Sequence, residues 1–198
     1  MTGGVCALVA GIILGPRRGR FHDLDGNPLE VPNDFPPHSV ALAFLGTFCL
    51  WFGWYGFNPG STLKISSEGM GNVAALVAVN TTLSACAGAV SALFTSTFFD
   101  WKKTGIATYD LAYTMNGCLT GLVAITSGCA TVEPWAAVMI GVIGGWFYLL
   151  GSKALVYFRI DDAVDAVPVH CVGGAWGVIA TGLFSNEARL RDAGFSTE

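Results

Sequence analysis

A histidine, an aromatic cluster and three aspartates are the residues of this chain best suited to chemistry. His170 lies within Ala166 to Asn186, a stretch with no Asp, Glu, Lys or Arg, and is followed by Cys171, Gly173, Gly174, Ala175 and Gly177. A neutral imidazole offers one donor and one acceptor, so it can pass a small hydrogen-bonding solute without carrying net charge. Its small neighbours let another helix approach closely or leave a lumen beside the ring. An imidazole can equally satisfy one carbonyl of an adjacent helix and do nothing more. The second group is the run Trp51-Phe52-Gly53-Trp54-Tyr55-Gly56-Phe57-Asn58-Pro59-Gly60-Ser61. Aromatics anchor membrane interfaces, which accounts for Trp51 or Tyr55. Trp54, Phe57 and Ser61, spaced three and four apart, are expected on one helix face. Two aromatic rings and a hydroxyl there could hold a cation by cation–π attraction of about 2 kcal/mol when desolvated. The third group, Asp161, Asp162 and Asp165, precedes the His170 segment, where carboxylates are favoured by capping and the helix dipole. Asp165 is expected about one turn deeper than the membrane boundary. Asp110 and Asn116 read as capping and interhelical hydrogen-bonding groups.

The elements that must position these groups are membrane helices. Of 198 residues, 53% are hydrophobic and only 12% charged, half the usual supply of about a quarter. Five windows contain no Asp, Glu, Lys or Arg: Phe35–Leu63, Gly69–Phe99, Leu111–Val132, Pro134–Ser152 and Ala166–Asn186. Each reaches or approaches the ~20 residues that span a bilayer, and none carries the polar stripe of a soluble amphipathic helix. The fold class is therefore an all-α polytopic membrane protein, with helices expected at about 38–62, 70–99, 109–128, 134–157 and 165–186. The uncharged Met1–Pro16 stretch lacks a basic start and ends in Arg17, Arg18 and Arg20. It is read as the end of a helix that begins upstream rather than as a signal peptide. The net charge of −4 gives no reason to expect a nucleic-acid partner. The six cysteines form no C-x-x-C pair and read as buried small hydrophobes. No metal or cofactor is expected. An enzyme using His170 as base or haem ligand lacks a second ligand or a nucleophile.

Basic residues alternate between loops. Arg17, Arg18 and Arg20, then Lys102 and Lys103, then Lys153 and Arg159 fall in every second connection, whereas the intervening ones hold Lys64 with Glu68, and Glu133. The positive-inside rule places loops 17–37, 100–109 and 153–165 in the cytoplasm. The Pro-rich stretch His22–Pro37 reads as an irregular connector.

Several motifs resemble the ammonium transporter family (Amt/Mep, related to the Rh proteins). Gly53 to Ser61, GWYGFNPGS, is similar to its G-W-F-G-F-N-x-G-S signature. Asp161-Asp162-Ala163-Val164-Asp165 with Val169-His170 and Gly173 resembles its D-D-x-x-D-x-x-x-V-H-x-x-G segment. Leu14 to Phe21 resembles its L-G-P-R-x-G-R-F loop, and Asn116-Gly117 with Gly121 to Thr126 also fits. The resemblance implies an eleven-helix fold of two inverted halves, of which this chain holds the end of the fifth helix (1–16) and the second half. It implies a plasma-membrane homotrimer that takes ammonium or ammonia, with methylammonium as an analogue. Trp54 would line the pore, Phe57 would belong to its gate, Ser61 to the external ammonium site, and His170 to a histidine pair whose partner precedes Met1. Asp165 would support the pore helix. A Rh-like neutral gas channel and an ammonium sensor of the same fold are the alternatives.

Overall fold

The computed structural model describes residues 1–195 of the 1–198 chain; the last three residues lie outside it. Helix α1 (Thr2–Leu14) is followed by a long irregular loop, then α2 (Val40–Phe57) and a single 3₁₀ turn (Pro59–Thr62). Helices α3 (Met70–Thr104), α4 (Leu111–Thr126) and α5 (Pro134–Tyr157) come next. A π turn (Val167–Val172) then leads directly into α6 (Gly173–Phe184), and a short α7 (Glu187–Asp192) ends the described chain. Among the described residues four segments, 40–62, 70–104, 134–157 and 167–184, are long and apolar enough to cross a membrane.

The helix boundaries follow from local chemistry. Ser39 Oγ accepts from Leu42 N at 3.3 Å, and the Asp110 carboxylate accepts from Ala112 N and Tyr113 N at 2.7 and 3.2 Å, satisfying amides that a first helical turn leaves open. Pro134 opens α5, where its missing N–H costs nothing. Helix α3 runs to Thr104, beyond the expected end at 99, because charge ends the hydrocarbon but not the helix. Lys102 and Lys103 suit the negative end of the dipole, and Gly105, at φ 76°, supplies the left-handed stop.

The bundle is built around α3, α4 and α5, which meet backbone to backbone at glycines. A Cβ on Gly88 would collide with Gly117 O and crowd Gly121 Cα at 3.1 Å, and one on Gly145 would lie 2.8 Å from Gly88 O. In lipid, where apolar side chains gain nothing by leaving the solvent, such close approach is a main source of helix association. Polar side chains bridge the same contacts: Ser84 Oγ donates to Gly121 O and Ser91 Oγ to Val142 O, each at 2.8 Å. Asn80, fully buried, donates to Cys129 O and Val132 O at 2.9 Å. Helix α6 joins through Gly177 against Ala124 and through Trp176 Nε1, which donates to Ile140 O at 3.0 Å.

One expectation needs correction. Of the six cysteines only Cys118 and Cys129 are buried; Cys171 is half-buried, and Cys6, Cys49 and Cys86 are exposed. A weakly polar thiol on a membrane-length helix needs no protein around it, since lipid serves as well. Connector 22–37 is irregular but anchored. Phe21 is buried, and Arg159 donates to Phe21 O and Leu29 O at 3.4 and 3.2 Å. The three basic loops converge at one end of the bundle, where Arg17, Phe35, Asp100, Tyr109, Lys153 and Asp162 help line a cavity of about 850 Å³.

Gly88→Ala places its methyl against backbone that cannot rotate away. The expected outcome is a loss of about 1–3 kcal/mol or more, read as a lower melting temperature of the detergent-solubilised protein.

Candidate functional site

Helix α4 provides a common ruler for the aromatic cluster and the histidine. Trp54 Nε1 donates to Thr126 Oγ1 at 3.0 Å, at the last turn of α4. Six residues earlier, Thr120 packs against Gly173, so that a Cβ there would lie 2.7 Å from Thr120 Cγ2. Six helical residues rise about 9 Å. The aromatic cluster thus sits near the end of the bundle bearing loop 127–133, and the His170 turn sits deeper along the same helix.

Trp54 and Phe57 form one unit, their ring centroids 5.9 Å apart and inclined at 67°. Phe57 is 59% exposed in this chain. Ser61 departs from the expected single helix face. The α-helix ends at Phe57, and Ser61 belongs to the following 3₁₀ turn, entered through Pro59. Its hydroxyl donates to Phe57 O, which spends the proton and leaves the oxygen lone pairs as acceptors. That is the polarity suited to an N–H donor. Behind the turn, Asn58 is buried and donates to Thr81 Oγ1 at 3.1 Å, fastening the cluster to α3.

His170 is carried by the π turn. Gly173 N–H bonds back to Pro168 O, a five-residue step in place of the α-helical four. The backbone of the turn is gripped from several sides. A Cβ on Gly4 of α1 would strike the His170–Cys171 backbone, and one on Gly151 of α5 would meet Val172 Cγ2 at 3.1 Å and Pro168 Cβ at 3.3 Å. The imidazole itself is exposed and makes no hydrogen bond or ion pair among the described residues.

The three aspartates do three different jobs. Asp161 Oδ2 and Oδ1 each lie 2.7 Å from the Arg17 guanidinium, and the Arg17 backbone N–H adds a bond at 2.9 Å. Only 3% of the Asp161 side chain is exposed. Asp162 accepts from Val167 N at 2.6 Å and so caps the π turn. Asp165 is not a cap. It accepts from Tyr148 Oη at 2.7 Å and Ser152 Oγ at 3.1 Å, while Asn116 donates to the same phenol at 3.2 Å. Its φ of 56° is a left-handed conformation that costs a non-glycine residue about 1–3 kcal/mol and persists only where surroundings enforce it. Tyr148 and Ser152 were not legible as site residues. The available signal was a phenol in a charge-free membrane window, which must find a partner.

The hydrogen bond from Arg17 holds the Asp161 carboxyl below its ordinary range against the opposing effect of burial. The same bond raises the guanidinium. This pair closes the loop end by joining α1 to the entry of the π turn.

The chain is thus a bundle of membrane-length helices with an aromatic cluster toward one end and a histidine on a turn whose backbone is gripped by neighbouring helices. The Ammonium Transporter Family model matches residues 1–197. The chain belongs to that family and is a multi-pass membrane protein. It is 48% identical to a putative ammonium transporter of Synechocystis sp. over 93% of this chain and 39% of that protein. With ammonium transporter Amt2 of Archaeoglobus fulgidus it shares 45% over 93% and 36% of the two chains. Its fold matches Mep2 of Saccharomyces cerevisiae at a TM-score of 0.80 and 32% identity, covering 98% of this chain and 40% of that one. A sensor Amt protein matches at 0.75 and 36%, covering 94% and 42%. The chain spans about two-fifths of the length of the relatives it matches.

The Arg17–Asp161 pair makes stability acid-dependent. Because the carboxyl is depressed from an unfolded value near 3.9, its contribution is complete above that pH and is lost as pH falls through the lower folded value. Asp161→Asn is expected to lower the melting temperature at pH 6 and to flatten its decline below pH 4, as measured on purified protein across a pH series.

Proposed function

We propose that this chain is the second inverted half of a transmembrane ammonium transporter. The single observation that carries the reading is the imidazole of His170, which has no hydrogen-bond partner among the described residues and sits at membrane depth on a backbone gripped between helices. A polar group left open at membrane depth is costly and marks a pathway. The complete subunit would be a plasma-membrane homotrimer, with loops 17–37, 100–109 and 153–165 in the cytoplasm. The convergence of these basic loops at one end supports that orientation.

Ammonium is recruited from outside against the Trp54–Phe57 pair, with Ser61 Oγ accepting from its N–H. Movement of the Phe57 ring admits it and strips water. The bare cation is then costly in hydrocarbon, which favours handing a proton back to the external water before neutral ammonia passes deeper. Ammonia continues past His170, which accepts from it and donates to it while staying neutral. Inverted halves put such a path at their interface, and Asp165 supports the helix that carries this wall of it. The similarity to a sensor Amt protein favours a second reading, in which the same pocket binds ammonium with little flux.

His170→Ala in the complete subunit is expected to bring methylammonium uptake to background or to admit potassium. Unchanged uptake with potassium still excluded sinks the pore role. Ammonium-evoked current in a membrane patch separates the transporter from a neutral gas channel, and binding without flux supports the sensor.

A further inference from the structure

The imidazole of His170 owes its direction to a backbone irregularity. In an uninterrupted α-helix starting at Val167, every residue would follow its neighbour by the same rotation. The π step inserts an extra residue into the turn, so the histidine points elsewhere than α-helical continuation would direct it. Such turns are marginal by themselves, and something must hold this one.

Two anchors lie at its start. Asp162 accepts from Val167 N at 2.6 Å, taking up the amide that opens the turn, and Pro168 brings no N–H that needs a partner. Asp165 supplies the carbonyl for Val169 N at 3.1 Å while its own backbone is left-handed, at φ 56°. A residue with a β-carbon adopts that conformation uncommonly, aspartate more readily than most, and its side-chain contacts decide how firmly it is held. Asp165 is fixed from α5: Tyr148 Oη and Ser152 Oγ, one turn apart, both donate to its Oδ2. Tyr148 is completely buried, and Asn116 of α4 orients its phenol. From α4 through the phenol to the carboxylate and into the turn, each link is a hydrogen bond between named atoms. The last link lies five residues from His170.

We propose that Tyr148 is a positioning residue for His170. Its hydroxyl locks Asp165 in the left-handed conformation that launches the π turn, and the turn aims the imidazole into the pathway. The phenol touches no solute and acts only through the backbone. This rests on the transport reading for its functional consequence, but its structural consequence is measurable without transport.

The test uses the complete subunit with Tyr148→Phe, which removes one oxygen and keeps the ring. Nitrogen-15 labelling of histidine, with the His170 signals identified by their loss in His170→Ala, reads the imidazole directly. Tyr148→Phe is expected to move those signals, and Ser152→Ala, which removes the weaker of the two donors, to move them less. Methylammonium uptake by Tyr148→Phe is expected to fall about tenfold, the kinetic equivalent of one charge-assisted hydrogen bond. His170 signals unmoved by both substitutions overturn the proposal, as does methylammonium uptake unchanged in Tyr148→Phe. An unsubstituted subunit that carries no methylammonium sinks the transport reading and leaves the spectroscopic arm to decide this one.

Discussion

Hydrocarbon offers no hydrogen bonds, and this constraint organises the bundle more than any single contact. Each hydroxyl, amide and carboxylate carried into it must find its partner in the protein. Ser84 and Ser91 bond to carbonyls of neighbouring helices, Asn80 to two carbonyls beyond α4, and Trp54 and Trp176 by their indole N–H groups to α4 and α5. These bonds require helices to run closer than ordinary side chains permit. The glycines at 88, 117, 121, 141 and 145 make that approach possible. Polar bridging and small-residue packing are thus two sides of one solution.

Against that background an open imidazole is informative. Asp165, in the same segment, is committed to Tyr148 and Ser152, and Asp162 to Val167 N, but His170 is committed to nothing among the described residues. The backbone that carries the ring is also among the most confined in the molecule, held by Gly4, Gly151 and the Thr120–Gly173 contact. Rigid support with a free functional group is how binding sites keep their geometry. The strain at Asp165 belongs to the same arrangement.

The loop end carries a different kind of chemistry. Arg17 and Asp161 meet bidentately, the carboxylate covered and the guanidinium still partly open to solvent, and Arg159 reaches two backbone carbonyls of the connector. Arginine suits this task because its planar fork engages several acceptors at once. A connector rich in proline has little regular structure with which to fold itself. Its shape is set by these cations and by the buried ring of Phe21.

Much of this was legible in the residues alone. Hydropathy located the helices, because a bilayer demands a length of apolar chain and charge interrupts it visibly. The alternation of basic loops grouped 17–37, 100–109 and 153–165, and they do share one end of the bundle. Motifs around Trp54 and His170 identified the family. Other features stayed hidden. Three adjacent-looking aspartates became an ion pair, a cap and a buried network, and only the fold could sort them, since Arg17 lies 144 residues from Asp161. Ser61 was assigned to a helix face that ends four residues before it, because Pro59 starts a tighter turn. The π turn left no trace in spacing. Composition and period are properties of consecutive residues, so they determined that helices cross a membrane and where. Which way His170 points, and whether anything answers it, was decided by α1, α4 and α5, whose contacts exist only once the chain has folded.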